Sequence, residues 1–274
     1  MTIDEFRARE VDVTKPTAAR VYDYYLGGDA HYAADKVFAE RMFKICPYLD
    51  TAAHHNRAFL QRASRYMAAE CGIRQFLDIG SGIPTVGNTH HVVREVCSGT
   101  SIVYVDNDLE AVNQSYDLLA RENAKNVAII EADLRDADAI LDHPDTQRLI
   151  DFDKPLGLLI VSVWPFISDD ERPYELMARY RDRLASGSYV AMSHGSVEEA
   201  DEEVREMFAA VARSYDETRD PVTQRTRREF TAFFDGLTIV EPGVVYCPDW
   251  RPLEPVDVDD PIRPCNFAAV GRKP

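Results

Sequence analysis

Short apolar runs alternate with longer amphipathic stretches along most of the chain, and the runs end in glycine, serine or acidic residues. Five of these runs have the length and aliphatic content of buried strands in a parallel sheet. They cover residues 75–79, 101–105, 127–130, 156–163 and 188–192. The stretches between them repeat their apolar positions at helical spacing. The pattern therefore predicts an α/β fold with helices on both faces of a parallel sheet.

The two ends of the chain depart from this alternation. Before the first strand the pattern predicts only helices, which cover residues 16–26, 32–45 and 50–71. We therefore expect a helical N-terminal cap over residues 1–72 and a main domain over residues 73–274. After the fifth strand, two helical stretches (197–215 and 224–234) precede the last two apolar runs. These runs, 237–245 and 266–271, predict an antiparallel hairpin that completes a seven-stranded sheet.

The first strand ends in a glycine-rich turn that contains Asp78, Gly80, Ser81 and Gly82, and a helix is expected to begin near Thr85. Glycines allow a sharp turn and a close approach of a ligand to the backbone. A strand, a turn of this kind and a helix bind nucleotide-like ligands at the carboxyl end of a parallel strand. The third glycine of the dinucleotide fingerprint is missing, and Asp78 suits an amino group better than a pyrophosphate. The turn thus predicts S-adenosylmethionine as the cofactor, and an ordinary loop is the alternative.

Acidic residues also end the next two strands. Asp106 closes the second strand, 24 positions after Gly82, where a carboxylate can accept both ribose hydroxyls, and Asn107 follows it. After the third strand, Asp133 can accept the adenine amino group and the Leu134 N–H can reach a ring nitrogen. The alternatives are a helix cap at Asp106 and a solvated loop carboxylate at Asp133.

The composition narrows the choice of partners. The formal net charge is −16, which disfavours a nucleic acid because its phosphates require clustered Lys and Arg. The five cysteines are scattered and include no C-x-x-C pair, so we expect reduced thiols in a cytoplasmic protein. We see neither a signal peptide nor an apolar run of membrane-spanning length, and expect no membrane partner.

The ends of the fourth and fifth strands provide two further candidates. Ser162, at the end of the fourth strand, is expected among the cofactor-binding residues, near the transferred methyl group. His194 follows the fifth strand and is the candidate general base, with a hydrogen-bonded loop residue as the alternative. His90 and His91 suggest a metal, but no further ligand is evident in the sequence, so we expect none.

Two residues of the N-terminal helices are candidates for closing the site. Arg57 can bind the methionine carboxylate through a bidentate pair, and the alternative is an internal salt bridge. Tyr25 lies with Tyr22 and Tyr24 in an aromatic-rich helix that can form a lid over the cofactor, with Gly27-Gly28 as the hinge, and the alternative is packing of that helix on the core.

Three blocks of the sequence resemble those of a known protein family. They are Pro16–Gly28, Asn56–Ala63, and Asp78–Thr85 followed by Asn88-Thr89-His90. Together they resemble the signature of a bacterial family of S-adenosyl methyltransferases, and the resemblance extends over nearly the whole chain. It implies a Rossmann-like class I methyltransferase fold and S-adenosylmethionine binding, with S-adenosylhomocysteine as the product, and it names no substrate. The family tends to have a Leu-His pair after the fourth strand, where this chain has Trp164-Pro165.

These patterns lead us to expect a methyltransferase that acts by in-line transfer, mainly through positioning and desolvation. The segment 162–166 lacks the Asn/Asp-Pro-Pro-aromatic pattern of enzymes that methylate amino groups of nucleic acids, which favours a small-molecule acceptor. The first alternative is a non-catalytic regulator that binds the cofactor. A nicotinamide-dependent oxidoreductase is a second alternative, disfavoured by the missing third glycine. The oligomeric state is not predicted.

Overall fold

An eight-stranded sheet lies at the centre of the computed structural model, which describes residues 11–84, 87–216 and 218–274. In chain order the strands are β1 (Gln75–Ile79), β2 (Ser101–Asp106), β3 (Val127–Glu131), β4 (Gly157–Val161), β5 (Tyr189–Gly195), β6 (Thr238–Ile239), β7 (Val245–Tyr246) and β8 (Asn266–Arg272). The order across the sheet is β3-β2-β1-β4-β5-β8-β6, and β7 also pairs with β8. Strands β1 to β5 are parallel, and β8 is antiparallel to β5, β6 and β7. The predicted parallel sheet with an antiparallel end is confirmed.

The outer edge of the sheet explains why eight strands replace the predicted seven. The run 237–245 forms two pieces, β6 and β7, that pair with opposite ends of β8. Pro242 lies between them and has no N–H to donate to a ladder. Gly243 follows with a φ of 91°, outside the extended region. The edge position is therefore shared by two short strands.

Ten helices of four or more residues accompany the sheet within the described ranges. They are α1 (Ala18–Tyr25), α2 (Ala33–Ile45), α3 (Leu49–Ala69), α4 (Thr89–Val96), α5 (Leu109–Arg121), α6 (Ala137–Leu141), α7 (Pro144–Leu149), α8 (Pro173–Arg183), α9 (Glu202–Tyr215) and α10 (Arg227–Ala232). The expected start of a helix near Thr85 lies outside the described residues. Helix α9 begins five residues later than predicted, at Glu202, after a turn that contains Ala200.

Alternate residues of the strands point to opposite faces of the sheet, as the two-residue period requires. On one face, Leu77, Val103 and Leu158 pack against α6, α8 and α10. On the other face, Phe76 and Leu159 pack against α3 and α4. Both faces are thus covered, which is the arrangement that the aliphatic strands predict.

The three N-terminal helices fall into two groups. Helix α3 places Phe59 and Met67 in the same hydrophobic cluster as the sheet. Helices α1 and α2 form a second cluster around Val21 and Met42, which also includes Val211 of α9 and Leu49 at the start of α3. Helix α3 is therefore part of the main layers, and its first turn also packs against α1, α2 and α9 beside them.

This arrangement leaves a space at the carboxyl edge of the sheet, where the ends of the parallel strands meet α1 and α3. Ligands bind in this position in open α/β sheets. Among the helices in the described ranges, none combines the length and the apolar character needed to cross a bilayer.

Candidate active site

A cavity of about 690 Å³ lies at the carboxyl edge of the sheet. Residues that follow β1, β2, β3 and β4 form one wall, and α1 and α3 contribute the opposite wall. Tyr215 and residues 219–222 contribute a third side. The predicted cofactor residues found on the walls are Arg57, Asp78, Gly80, Ser81, Gly82, Asp106, Asn107, Asp133, Leu134 and Ser162.

The glycine turn after β1 needs its glycines for two separate reasons. Gly80 and Gly82 have φ values of 69° and 67°, in the left-handed region that side chains avoid. A Cβ on Gly80 would also lie 2.2 Å from Cγ2 of Val163. The N–H groups of Gly80 and Ser81 both donate to the Val105 carbonyl, at 2.8 and 3.1 Å. The turn is thereby fastened to β2, with its backbone facing the cavity.

Asp78 is a buried carboxylate at the cavity wall. The hydroxyl of Thr89, at the start of α4, donates to its Oδ2 at 2.6 Å. Burial raises the pKa of Asp78 to about 6, against the opposing effects of Thr89 and the Arg57 guanidinium. The carboxylate is therefore poorly compensated in the free protein, which favours a cationic ligand group beside it.

Asp106 shapes the turn and also faces the cavity. Its Oδ2 accepts the Gly82 N–H at 2.7 Å, and its Oδ1 accepts the Asp108 N–H at 2.9 Å. Burial raises the pKa of Asp106 to about 6. A carboxylate has about four acceptor positions, so both oxygens retain capacity for hydroxyl donors. Asp108, not Asp106, caps α5, because its side chain accepts hydrogen bonds from the N–H groups of Glu110 and Ala111.

Asp133 belongs to a polar group at the far end of the cavity. Asn107 donates its amide to Oδ2 of Asp133 at 3.0 Å, and the Arg135 guanidinium lies 3.1 Å from the same carboxylate. Burial favours the neutral form, but the bonds from Arg135 and Asn107 outweigh it and lower the pKa of Asp133. Leu134 is buried beside them, and its carbonyl accepts the Tyr180 hydroxyl at 2.6 Å. Asp133 is thus a hydrogen-bonded and ion-paired carboxylate that is still 37% exposed, and its role toward the adenine remains a prediction.

Two polar atoms on the wall have no partner in the described protein, namely Nε of Arg57 and Oγ of Ser81. Both atoms are buried, and a buried polar atom without a partner costs about 1–3 kcal/mol. Within the described residues, Arg57 forms no ion pair at 4 Å or less, and its guanidinium lies 5.7 Å from the centre of the Tyr22 ring. The internal salt bridge considered for Arg57 is therefore not formed with any of the described residues.

Ser162 holds an uncommon backbone conformation at the end of β4. Its φ of 59° lies in the left-handed region, although it is not a glycine. Its N–H donates to the Ser193 carbonyl at 3.3 Å. Strained residues of this kind persist where the surrounding structure holds them and are concentrated at functional sites.

Two predicted site residues do not line the cavity. The Tyr25 ring is buried in the cluster of α1 and α2, edge-on to Phe43 at 5.2 Å. His194 is fully buried, with Nδ1 donating to the Gly195 carbonyl at 2.7 Å and Nε2 accepting from Arg225 at 3.1 Å. Burial lowers the pKa of His194 to about 4. A lid role for Tyr25 and a base role for His194 therefore do not fit these positions, and the hydrogen-bonded alternative describes His194.

The sequence pointed to Tyr22 through its aromatic-rich helix and to Phe166 through the segment 162–166, whereas Tyr215 has no distinct sequence signal. Tyr22, not Tyr25, is the tyrosine that α1 brings to the cavity, and the Asn56 amide donates to its hydroxyl at 3.0 Å. Phe166 and Tyr215 come from segments separated by some fifty positions. The aromatic-rich block pointed to α1, but the inward-facing member depends on how α1 packs on α3.

Comparison with known proteins adds an independent line of support. The sequence matches a family described as S-adenosyl methyltransferase over residues 4–274. A protein of Thermobifida fusca, described as a candidate methyltransferase, is 40% identical, and its structure matches with a TM-score of 0.88 over 96% of each chain. A DUF574 family protein of Streptomyces avermitilis is 36% identical, with a TM-score of 0.90 over 97% of this chain and 100% of that one. No curated protein matches the chain.

A more distant structure agrees in fold alone. The N-methyltransferase NodS of Bradyrhizobium japonicum is 14% identical and has a TM-score of 0.50 over 82% of this chain and 97% of its own. The strand order, the glycine turn and the match along the sequence agree, and they support neither the oxidoreductase nor the non-catalytic alternative. The fold is that of a class I methyltransferase, and the chain belongs to the S-adenosyl methyltransferase family, enzymes that use S-adenosylmethionine.

Proposed function

We propose that this enzyme methylates a small molecule and that S-adenosylmethionine lies along the ends of β1, β2 and β3. The charge pattern of the cavity carries the proposal. Asp78, Asp106 and Asp133 follow the three strands in turn, and Arg57 is close enough to Asp78 to lower its pKa. The cofactor presents ammonium, carboxylate, ribose and adenine groups in one molecule, and each has a counterpart on this wall.

Each polar group of the cofactor has a specific counterpart on the wall. The ammonium suits the uncompensated carboxylate of Asp78, and the carboxylate suits the unpaired Nε of Arg57. The ribose hydroxyls suit the remaining acceptor positions of Asp106. The adenine suits the end of the cavity formed by Asp133 and Leu134. Ser81 offers a further hydroxyl that lacks a protein partner.

The rest of the cavity suits a small, partly apolar acceptor. Beyond Ser162 the walls are largely aromatic and aliphatic, and they include Ala18, Tyr22, Pro165, Phe166, Ile167, Tyr215, Pro221 and Val222. Cavities that hold drug-sized ligands measure roughly 300–1,000 Å³, so the volume supports a cofactor and a small partner together. The net charge of −16 argues against a nucleic acid in this role.

The transfer step depends on alignment more than on proton removal. The described part of the cavity wall contains no histidine, lysine or cysteine. Of the buried carboxylates on the wall, Asp78 and Asp106 are assigned to the cofactor and Asp108 caps α5. We therefore expect an acceptor atom that presents a lone pair without help from a protein base, held in line with the methyl group.

Calorimetric titration with S-adenosylmethionine, S-adenosylhomocysteine and NAD tests the cofactor site, and Asp106→Ala tests the ribose contact. We expect both adenosyl ligands to bind, NAD not to bind, and the variant to bind at least about tenfold more weakly. Unchanged affinity in Asp106→Ala would refute the ribose assignment. A matched variant, Phe166→Ala, should keep cofactor affinity and lower turnover of acceptors in a screen for S-adenosylhomocysteine release.

The cellular location is also a proposal. All five cysteines are free, and three of them are buried. Reduced, buried thiols support action in the cytoplasm, where disulfides do not persist.

A further inference from the structure

Two histidines and a glutamate meet on the outer side of the glycine turn, away from the cofactor cavity. His90 and His91 are the second and third residues of α4, and Glu122 follows the last residue of α5. Nε2 of His90 lies 3.0 Å from Oε2 of Glu122, and Nε2 of His91 lies 3.0 Å from both carboxylate oxygens. One ligand atom from each residue lies within 4.8 Å of the other two. The three groups thus converge on one point.

We propose that His90, His91 and Glu122 bind a divalent transition metal ion of the zinc type, with water completing the coordination. Two imidazole nitrogens and one carboxylate oxygen suit zinc, cobalt or nickel, whereas magnesium and calcium prefer oxygen ligands alone. Zinc lies about 2.0–2.2 Å from such atoms, which places tetrahedral ligands roughly 3.3 Å apart. The two histidine–glutamate separations of 3.0 Å need a shift of only a few tenths of an ångström to accept the ion, and the nitrogens of the two histidines lie within 4.8 Å of each other.

The surroundings of His90 support the site. His90 is 1% exposed, and Tyr104 lies behind its ring. The Tyr104 hydroxyl lies 2.7 Å from Nδ1 and also accepts the backbone N–H of His90 at 2.8 Å. When Nε2 binds a metal, Nδ1 carries the ring proton and donates it to the hydroxyl oxygen, which has two lone pairs. A hydrogen-bonded partner of this kind fixes the orientation of metal-binding histidines.

The site is accessible and is not blocked by a neighbouring charge. The side chains of His91 and Glu122 are 41% and 33% exposed, so an ion can enter from solvent. Arg94, one turn further along α4, directs its guanidinium to the Lys125 carbonyl and not to the carboxylate. Without metal, the same three groups form two hydrogen bonds from histidines to one carboxylate. The experiment must therefore separate metal binding from hydrogen bonding.

A bound ion would fasten α4 to the end of α5. The residue before His90 is Thr89, whose hydroxyl holds the buried carboxylate of Asp78. Metal at this point would therefore stabilise the helix that follows the glycine turn. We expect the metal to raise the melting temperature of the protein, because binding to the folded state adds RT ln(1 + M/Kd) to the free energy of unfolding, where M is the free metal concentration and Kd its dissociation constant.

The test uses the full chain after treatment with a chelator. Calorimetric titration with Zn²⁺, and visible absorption on addition of Co²⁺, should show one ion per chain, while Mg²⁺ should not compete. Glu122→Gln keeps a carbonyl acceptor for the histidines but loses the charge. It should lower Zn²⁺ affinity by at least about tenfold and leave the melting temperature of the metal-free protein unchanged. His91→Ala should lower the affinity as strongly.

Two control variants guard against other sources of binding. His54→Ala removes an exposed histidine outside the cluster, and Cys97→Ser removes the half-buried thiol that follows α4. Both should bind Zn²⁺ like the parent chain. Absence of binding to the parent, or equal affinity in Glu122→Gln and His91→Ala, would overturn the proposal. Loss of binding in Cys97→Ser would assign the ion to the thiol and would also overturn it.

Discussion

Replacing Arg57 with glutamine should separate cofactor binding from stability. Nε of Arg57 has no partner in the described protein, so the loss of this N–H breaks no hydrogen bond within it. A charge-assisted hydrogen bond contributes about 1.5–3 kcal/mol, and every 1.4 kcal/mol changes a dissociation constant tenfold. We therefore expect Arg57→Gln to weaken S-adenosylmethionine binding by roughly 10- to 100-fold, with no fall in the melting temperature of the ligand-free protein.

Arg62, on the same helix, provides the matched control. It donates to the backbone carbonyls of Trp250 at 2.8 Å and Cys247 at 2.6 Å, and it does not line the cavity. Arg62→Gln leaves these carbonyls short of a donor, at a cost of about 1–3 kcal/mol. Its melting temperature should fall by about 2–10 °C, and the cofactor affinity of the folded protein should stay that of the parent.

The two arginines are compared by calorimetry and thermal unfolding, with a decarboxylated analogue of the cofactor as a third measurement. If Arg57 binds the carboxylate, Arg57→Gln should not weaken binding of the analogue. The effects of removing the guanidinium and of removing the carboxylate should therefore not add. Unchanged affinity for the intact cofactor in Arg57→Gln would refute the assignment. A loss of stability like that of Arg62→Gln would show that Arg57 has a structural role instead.

Four further predictions concern the cavity and its surroundings. Gly80→Ala should destabilise the protein by at least about 1–2 kcal/mol in denaturant titration, because the new Cβ would meet Val163. Gly72 has a similar φ of 71° but open space around it, so Gly72→Ala should lower the free energy of unfolding by less. Cofactor affinity should fall below about pH 6, since burial raises the pKa of Asp78 to about 6 and the ligand ammonium requires the ionised form. In the ligand-free protein the pH dependence of stability has the opposite sign. The raised pKa of Asp78 stabilises the fold at low pH, and this contribution is lost as the pH rises toward 6. Denaturation of Asp78→Asn and of the parent protein across this range will measure the contribution. His194→Gln should lower the melting temperature but leave the pH dependence of turnover unchanged, and a shifted profile would restore the base role.

Local patterns in the sequence were sufficient to locate much of the fold and the cofactor wall. The bounds of β1 were predicted to the residue, and Asp78, Asp106 and Asp133 lie at strand ends that share one edge. These positions follow from the two-residue period of strands and from the parallel order of the sheet. The roles assigned to them toward the cofactor remain predictions.

Contacts between distant segments account for what the sequence analysis missed. The burial of His194 depends on Arg225, 31 positions away, and no local pattern indicates it. Tyr22 and Tyr25 differ only in how α1 packs on its neighbours. The left-handed backbone of Ser162 is held by β5 and has no signature in residue type. Each of these features depends on tertiary contacts, so the composition and spacing of residues do not predict it.

The position of α3 has a consequence for how this protein can be divided. The sequence predicts a boundary between residues 72 and 73, and that division remains a prediction. Phe59 and Met67 of α3 are fully buried against the sheet, while Asn56 and Arg57 of the same helix reach the cavity. A fragment that begins at residue 73 would expose one face of its sheet and lose part of its ligand wall. In the recombination of domains, by evolution or by design, the portable unit therefore includes α3, and an exchange of α1 would also alter the part of the wall that Tyr22 forms.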